Sequence, residues 1–150
     1  FRDRDELMAD VARHGFEEFA GRLGQAWNDG KPDPMRAFEN LGHAYLAFAR
    51  DEPAFYAAMF EVGAPELRQA SDRAFEILRR ASEALSATLP KDRRPPALMM
   101  ALHVWAISHG IASLFGRKDG RKTPMTAEEL LEAAILIYLQ GLGLNDGAQP

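Results

Sequence analysis

Four histidines are the residues of this sequence with the most versatile chemistry, and their spacing limits what they can do together. They are His14, His43, His103 and His109. A metal site built on a helix often uses two histidines four residues apart. No two of these histidines have that spacing. We therefore predict no metal site and no cofactor.

Ser108 and His109 are adjacent, and serine and histidine can form a nucleophile and its general base. Adjacent residues on a helix point about 100° apart, so these two cannot activate each other. The sequence also has no cysteine, no Gly-x-Ser-x-Gly elbow and no glycine-rich phosphate loop. We expect no enzymatic activity. A helical enzyme or carrier, the alternative, would need polar groups that converge on a substrate.

Aromatic and methionine side chains are spread over the first five predicted helices, as the lining of a cavity would be. Ligand pockets are mostly apolar and contain a few converging polar groups, which Tyr45, Tyr56 and His109 could supply. We predict a pocket for a hydrophobic or aromatic small molecule without strong charge. The alternative is plain core packing, with His109 as a core or interface histidine. The predicted pocket residues are Phe16, Phe19, Tyr45, Phe48, Tyr56, Met59, Phe60, Phe75, Met99, Trp105 and His109.

Helical periodicity runs through nearly every segment, and no segment alternates as a strand would. Asp3 with Glu6, and Thr126 with Glu129, have the spacing of capping boxes, and Pro34 suits a first helical position. The sequence thus predicts an all-α fold of about six helices joined by short loops. The predicted helices run from Asp3 to about Trp27, from Asp33 to near Asp51, through Phe55 to Phe60 with a break at Gly63, onward from Pro65, from about Pro96 to Phe115, and from Thr126 to about Leu142.

Composition narrows the partners of the chain. Its 150 residues suit one domain, its apolar fraction is 47%, and its formal net charge is −4. A chain that binds nucleic acid by itself usually carries a basic excess, so we expect this one to bind DNA poorly alone. The absence of cysteine is compatible with the cytoplasm. No apolar run approaches the roughly 20 residues of a membrane span, so no membrane partner is expected.

The last two predicted helices are apolar on all sides, which predicts burial on all sides. On the fifth, one stripe contains Leu98 and Trp105, and a nearly opposite stripe contains Val104 and Ile111. We expect both helices to pair with their symmetry mates in an intermolecular four-helix bundle; the alternative is the core of a monomer. The predicted interface residues are Ile107, Gly110, Ile111, Leu114, Leu130, Ala134, Ile137, Tyr138 and Gly141.

Two motifs resemble the TetR family of transcriptional regulators. The segment at residues 1–7, FRDRDEL, resembles the junction that follows the helix-turn-helix of the family. The segment at residues 105–110, WAISHG, resembles the Trp-x-x-x-His-Gly signature of the WHG type of C-terminal domain, and Leu114 follows as that pattern expects. The order and lengths of the predicted helices are similar across essentially the whole chain.

The resemblance implies a homodimeric regulator, most simply a repressor, with a small-molecule effector bound inside each domain. Residues 1–150 would be one ligand-sensing and dimerising domain, cut from a DNA-binding head, and residues 1–27 would include the linking helix. Effector binding would then change the spacing of two heads on two operator half-sites. The alternative is an all-α dimeric interaction module without a ligand.

Overall fold

The fold is all-α, as predicted from the helical periodicity. A computed structural model describes residues 3–61, 67–115 and 124–144, and these contain six α-helices and no strand. Gly63 and Pro65, where the third helix was expected to end and the fourth to begin, lie outside the described residues. The helices are α1 (Arg4–Trp27), α2 (Pro34–Asp51), α3 (Pro53–Glu61), α4 (Arg68–Ser86), α5 (Ala97–Phe115) and α6 (Ala127–Gly141).

Three helices begin at predicted starts, and each of them has a side-chain cap. Asp3 accepts a hydrogen bond from the backbone N–H of Glu6 at 2.8 Å, and Asp33 accepts one from Arg36 at 3.0 Å. Thr126 and Glu129 form a full capping box, with each side chain accepting from the backbone N–H of the other. These bonds satisfy donors that the first turn of a helix leaves free.

The end of α6 also has a defined geometry. Gly143 has a positive φ of 89°, which glycine adopts without strain. The N–H of Gly143 donates to the carbonyl of Gln140 at 3.0 Å, and that of Leu144 donates to Leu139 at 2.8 Å. This pair of bonds is a Schellman motif. It turns the chain back so that Leu144 is buried beside the end of α6.

The core lies between α1 and the helices that contact it. α1 packs against α2, α3 and α4, and α4 packs against α5, which in turn contacts α2 and α6. Phe19 of α1 and Tyr45 and Phe48 of α2 are among the largest fully buried side chains. α6 is the most peripheral of these helices, because Leu131 and Leu139 are its buried residues.

Within the single chain, α5 buries one face and leaves other apolar residues exposed, so burial on all sides stays a prediction that depends on a partner. The buried face of α5 includes Ala101, Val104, Ser108 and Ile111, and so contains the expected stripe of Val104 and Ile111. Leu98 and Leu102, from one expected stripe, are 55% and 54% exposed. The helix is uniformly apolar, but its own chain covers only half of it.

The expectation about long apolar runs also needs correction. α5 has 19 residues and a mean hydropathy of 1.5, which is long and apolar enough to span a membrane by length and composition. It is the one such helix in the described part of the chain. Its buried face packs against α4, α2 and α6, an arrangement also typical of the core helix of a folded domain.

Candidate functional site

Nine of the eleven predicted pocket residues form one continuous group of rings, here called the aromatic cluster. Phe19 is near its centre, with ring centroids 5.1 Å from Tyr45, 5.1 Å from Phe48 and 6.4 Å from Trp105. Each other member contacts at least one ring of the group. The aromatic cluster consists of Phe16, Phe19, Tyr45, Phe48, Tyr56, Phe60, Phe75, Trp105 and His109.

The remaining two predicted pocket residues are the methionines Met59 and Met99. Met59 is buried against α1 at Gly15, where an added Cβ would come within 3.0 Å of its Cγ. Met99 is 36% exposed at the first turns of α5. Periodicity did not separate Met99 from the core because α5 is apolar on every face.

A chain of three hydrogen-bonded groups crosses the aromatic cluster. The hydroxyl oxygens of Tyr45 and Tyr56 are 2.8 Å apart, and the Tyr56 hydroxyl lies 2.7 Å from Nδ1 of His109. With a neutral imidazole that accepts at Nδ1, Tyr56 donates to His109 and Tyr45 donates to Tyr56. These hydrogen bonds join α2, α3 and α5. The sequence alone placed the three groups on separate helices and did not predict that they would be bonded to one another.

Burial shifts the pKa of all three groups toward the uncharged form. Desolvation raises the pKa of Tyr45 well above its usual value, and raises that of Tyr56 to about 12 despite an opposing hydrogen bond from Tyr45. Desolvation also lowers the pKa of His109. At neutral pH these three side chains are therefore uncharged, which is the form that an apolar surrounding favours.

A cavity of about 270 Å³ lies between α2, α5 and α6, beside the aromatic cluster rather than within it. Tyr45 is the residue that the cavity shares with the predicted pocket. Its other walls are mainly aliphatic side chains, which periodicity does not distinguish from ordinary core residues. The lining residues are Met35, Phe38, Glu39, Leu41, Gly42, His43, Tyr45, Leu78, Val104, Ser108, Leu131, Glu132, Ile135, Leu136, Leu139 and Leu144.

Exposed polar side chains form a rim on the solvent side of this cavity. Nε2 of His43 on α2 lies 2.8 Å from Oε1 of Glu132 on α6, and the two side chains are 52% and 58% exposed. Glu39, one turn before His43, also lines the cavity and is exposed. His43 and Glu132 are 89 positions apart in the sequence. Nothing in the sequence pattern indicates that these two surface residues will meet.

Gly42 sets how closely α2 and α6 approach at one wall of the cavity. A Cβ added to Gly42 would lie 3.2 Å from Cδ2 of Leu131, a tight contact. Gly110 is different, because an added Cβ would meet nothing within 4 Å. The described residues therefore provide no packing reason for the glycine within α5.

The predicted interface residues occupy different environments in the single chain. Ile137 is 70% exposed, and Gly110, Leu114 and Gly141 are also exposed. Half-buried positions are Ile107, Leu130, Ala134 and Tyr138, the last with its hydroxyl 2.9 Å from Nδ1 of His103. Ile111 differs from these residues: it is 6% exposed, because it lies on the face of α5 that packs into its own chain.

Leu98 and Leu102 were not among the predicted interface residues, although they extend the same exposed surface. At helical spacing they continue toward Ala106 and Gly110, which are also exposed. This i, i+4 spacing was the sequence signal that could have identified the exposed surface of α5. The sequence pattern instead groups Leu98 with Trp105, but Trp105 is half-buried and contacts Phe19 and Phe75.

Comparison with known proteins agrees with this architecture. Residues 38–138 match the model of a family described as the tetracyclin repressor-like C-terminal domain, and the chain belongs to that family. The matched residues include all of the cavity lining except Met35, Leu139 and Leu144. The subtype with the Trp-x-x-x-His-Gly signature stays a prediction.

A solved structure described as a protein with unknown function from Rhodococcus sp. RHA1 is also similar. It shares 26% sequence identity with a TM-score of 0.76, over 94% of this chain and 74% of that chain. No curated protein matches the chain.

Proposed function

We propose that this chain is the effector-binding and homodimerising domain of a TetR-like transcriptional regulator, a cytoplasmic repressor with no enzymatic role. The observation that carries the proposal is the cavity between α2, α5 and α6. Its volume of about 270 Å³ is close to the lower end of the usual range for ligand pockets. Its mostly apolar lining suits the hydrophobic or aromatic small molecule inferred from the sequence.

Tyr45 supplies a route by which an effector in this cavity would act on α1. Its side chain lines the cavity, and its ring lies 5.1 Å from that of Phe19 on α1. Its hydroxyl also continues into the hydrogen bonds with Tyr56 and His109. An effector that displaces Tyr45 would therefore change the packing of α1. In the proposed regulator, α1 connects this domain to a DNA-binding head and sets the spacing of the two heads.

The exposed apolar surface of α5 and α6 supports the dimer in this proposal. Leu102 and Leu114 on α5, and Ile137 on α6, are each more than half exposed. Large apolar areas on a protein surface mark interaction sites. Gly110 and Gly141 lie on the same helices with open space at their Cβ positions, which would let partner helices approach closely.

Two eight-carbon probes, neutral 1-octanol and octylamine, test the cavity as the effector site. Their size follows from the volume, since about 270 Å³ corresponds to roughly nine waters at about 30 Å³ each. We expect at least one probe to raise the melting temperature of the 150-residue chain with increasing concentration, as a ligand of the folded state does. Calorimetric titration would give its affinity.

A cavity-filling variant locates the binding. Ile135→Trp adds bulk to a half-buried cavity wall and should weaken the binding of either probe. Ile77→Trp is the matched control, since Ile77 is also half-buried but lies in a charged groove between α1 and α4. If neither probe binds, or if both variants bind as the wild type does, the proposed effector site is wrong. A dimer without ligand binding would favour the alternative of a bare interaction module.

A further inference from the structure

We infer that the effector of this cavity is a small lipophilic monoamine, with its apolar body inside and its cationic nitrogen between Glu39 and Glu132. This inference rests on the proposed function, because it names the ligand class of the same cavity. Three features lead to it: an uncharged interior, an acidic rim, and cations that are already paired elsewhere.

The interior of the cavity holds no charged group. Leu41, Val104 and Leu131 are buried apolar walls. The hydroxyl of Tyr45 is already hydrogen-bonded to Tyr56 at 2.8 Å, and its raised pKa keeps it neutral. A charge placed there without a partner would be strongly disfavoured. The body of the ligand is therefore apolar, and any charge it carries must remain at the rim.

The rim has a negative formal charge in either protonation state of its histidine. Glu39, His43 and Glu132 sum to −2 when His43 is neutral and to −1 when it is protonated. His43 can hydrogen-bond Glu132 at 2.8 Å. Glu39 has no hydrogen-bond or ion-pair partner in the described part of the chain. The rim therefore attracts a cation and repels a carboxylate or phosphate.

The neighbouring cations on α2 do not cancel this charge, because each is paired with another acid. Arg36 lies 3.8 Å from Asp33, and Arg50 lies 2.5 Å from Glu128. On α5, the exposed imidazole of His103 contacts the hydroxyl of Tyr138 at 2.9 Å. On α4, Arg79 is bound between Glu76 and Glu83. The preference for a cation thus survives when the facing helices in the described part of the chain are included.

Three probes with the same eight-carbon body separate the head groups: octylamine, 1-octanol and octanoate. Near neutral pH the amine is protonated, as the lysine side chain is, and octanoate is ionised. We expect octylamine to bind the 150-residue chain about tenfold more tightly than 1-octanol, and octanoate to bind most weakly. The preference should shrink as salt is added, because the rim is exposed to solvent. Calorimetric titration at two salt concentrations measures both effects.

Charge-removing variants assign the preference to the rim. Glu39→Gln and Glu132→Gln should each weaken octylamine about threefold, within the range of exposed ion pairs, and leave 1-octanol unchanged. Both side chains are exposed, so the fold is expected to tolerate them. Glu18→Gln, an exposed position on α1 that does not line the cavity, is the matched control and should change nothing.

The outcomes distinguish this inference from the proposed function. If 1-octanol or octanoate binds as tightly as octylamine, or if the Glu39 and Glu132 variants keep wild-type affinity for octylamine, the amine class is wrong while the cavity remains the effector site. If no probe binds, or if binding is insensitive to Ile135→Trp, both the effector site and the inference are overturned.

Discussion

The hydroxyl of Tyr56 on α3 lies 2.7 Å from Nδ1 of His109 on α5, inside the aromatic cluster. The same hydroxyl is 2.8 Å from that of Tyr45 on α2. Tyr56 is therefore the middle member of a polar chain that ties three helices together. Buried polar groups contribute little net stability when paired but cost much when left unpaired, so the position of Tyr56 within the chain matters.

Replacing Tyr56 with phenylalanine should destabilise the fold more than replacing Tyr45. Tyr56→Phe leaves the buried Tyr45 hydroxyl without this partner, at a cost of about 1–3 kcal/mol in the free energy of unfolding. Tyr45→Phe leaves Tyr56 bonded to His109, and should cost about 1 kcal/mol. Urea unfolding of both variants measures the difference.

Tyr138→Phe is the control for these variants, since its hydroxyl bonds His103 at an exposed site. A smaller loss than for Tyr56→Phe is expected there. If Tyr56→Phe has the same free energy of unfolding as wild type, the hydrogen bonds of Tyr56 to Tyr45 and His109 contribute nothing to the stability of the fold.

Acidification should weaken the fold through His109. Burial lowers the pKa of His109 below its usual 6.5 in the folded state, so the unfolded chain binds a proton at a pH where the folded chain does not. The stability that neutral His109 contributes is complete above the pKa that it has in the unfolded chain. It is lost as the pH falls from there toward the pKa that His109 has in the folded chain. His109→Gln removes this dependence, so the stability advantage of wild type should narrow between about pH 7 and pH 5. Urea unfolding of both proteins at several pH values measures this advantage. An advantage that stays constant over the pH range would exclude the effect.

A charge at Ile137 should convert a dimer into a monomer. Ile137 is 70% exposed on α6, so Ile137→Glu is expected to keep the fold of the single chain while placing a charge in the proposed interface. Leu7, on α1, is also an exposed apolar residue. Leu7→Glu is therefore the matched control and should stay dimeric. Light scattering at micromolar concentration gives the masses, and circular dichroism checks the helices. A monomeric wild type, or a dimeric Ile137→Glu, would contradict this interface.

Local signals predicted the helices well because each signal acts within a few residues. The caps at Asp3, Asp33 and Thr126 bond groups three residues away, and such bonds depend on little beyond the local backbone. The aromatic cluster was also predictable, since large rings at helical spacing on several amphipathic helices must meet in the core.

The cavity and the orientation of α5 were not predictable in the same way. Leu131 and Ile135 line a void, but their types are those of any packed core, and a void depends on small mismatches between distant helices. In α5 both faces are apolar, so periodicity cannot tell which face its own chain covers. The meeting of His43 with Glu132 depends on the placement of α6 against α2, which no local rule determines.

α6 is a single helix whose two sides face different neighbours. Leu131, Ile135 and Leu139 on one side form the wall of the cavity, while Leu130, Ile137 and Gly141 lie on the other side, where the proposed partner would sit. In the proposed dimer, one helix thickness separates each ligand from the opposite subunit. An effector that shifts α6 would therefore change the association of the subunits, and association would change the affinity for the effector by the same factor. The dose response of such a regulator would then depend on its own concentration.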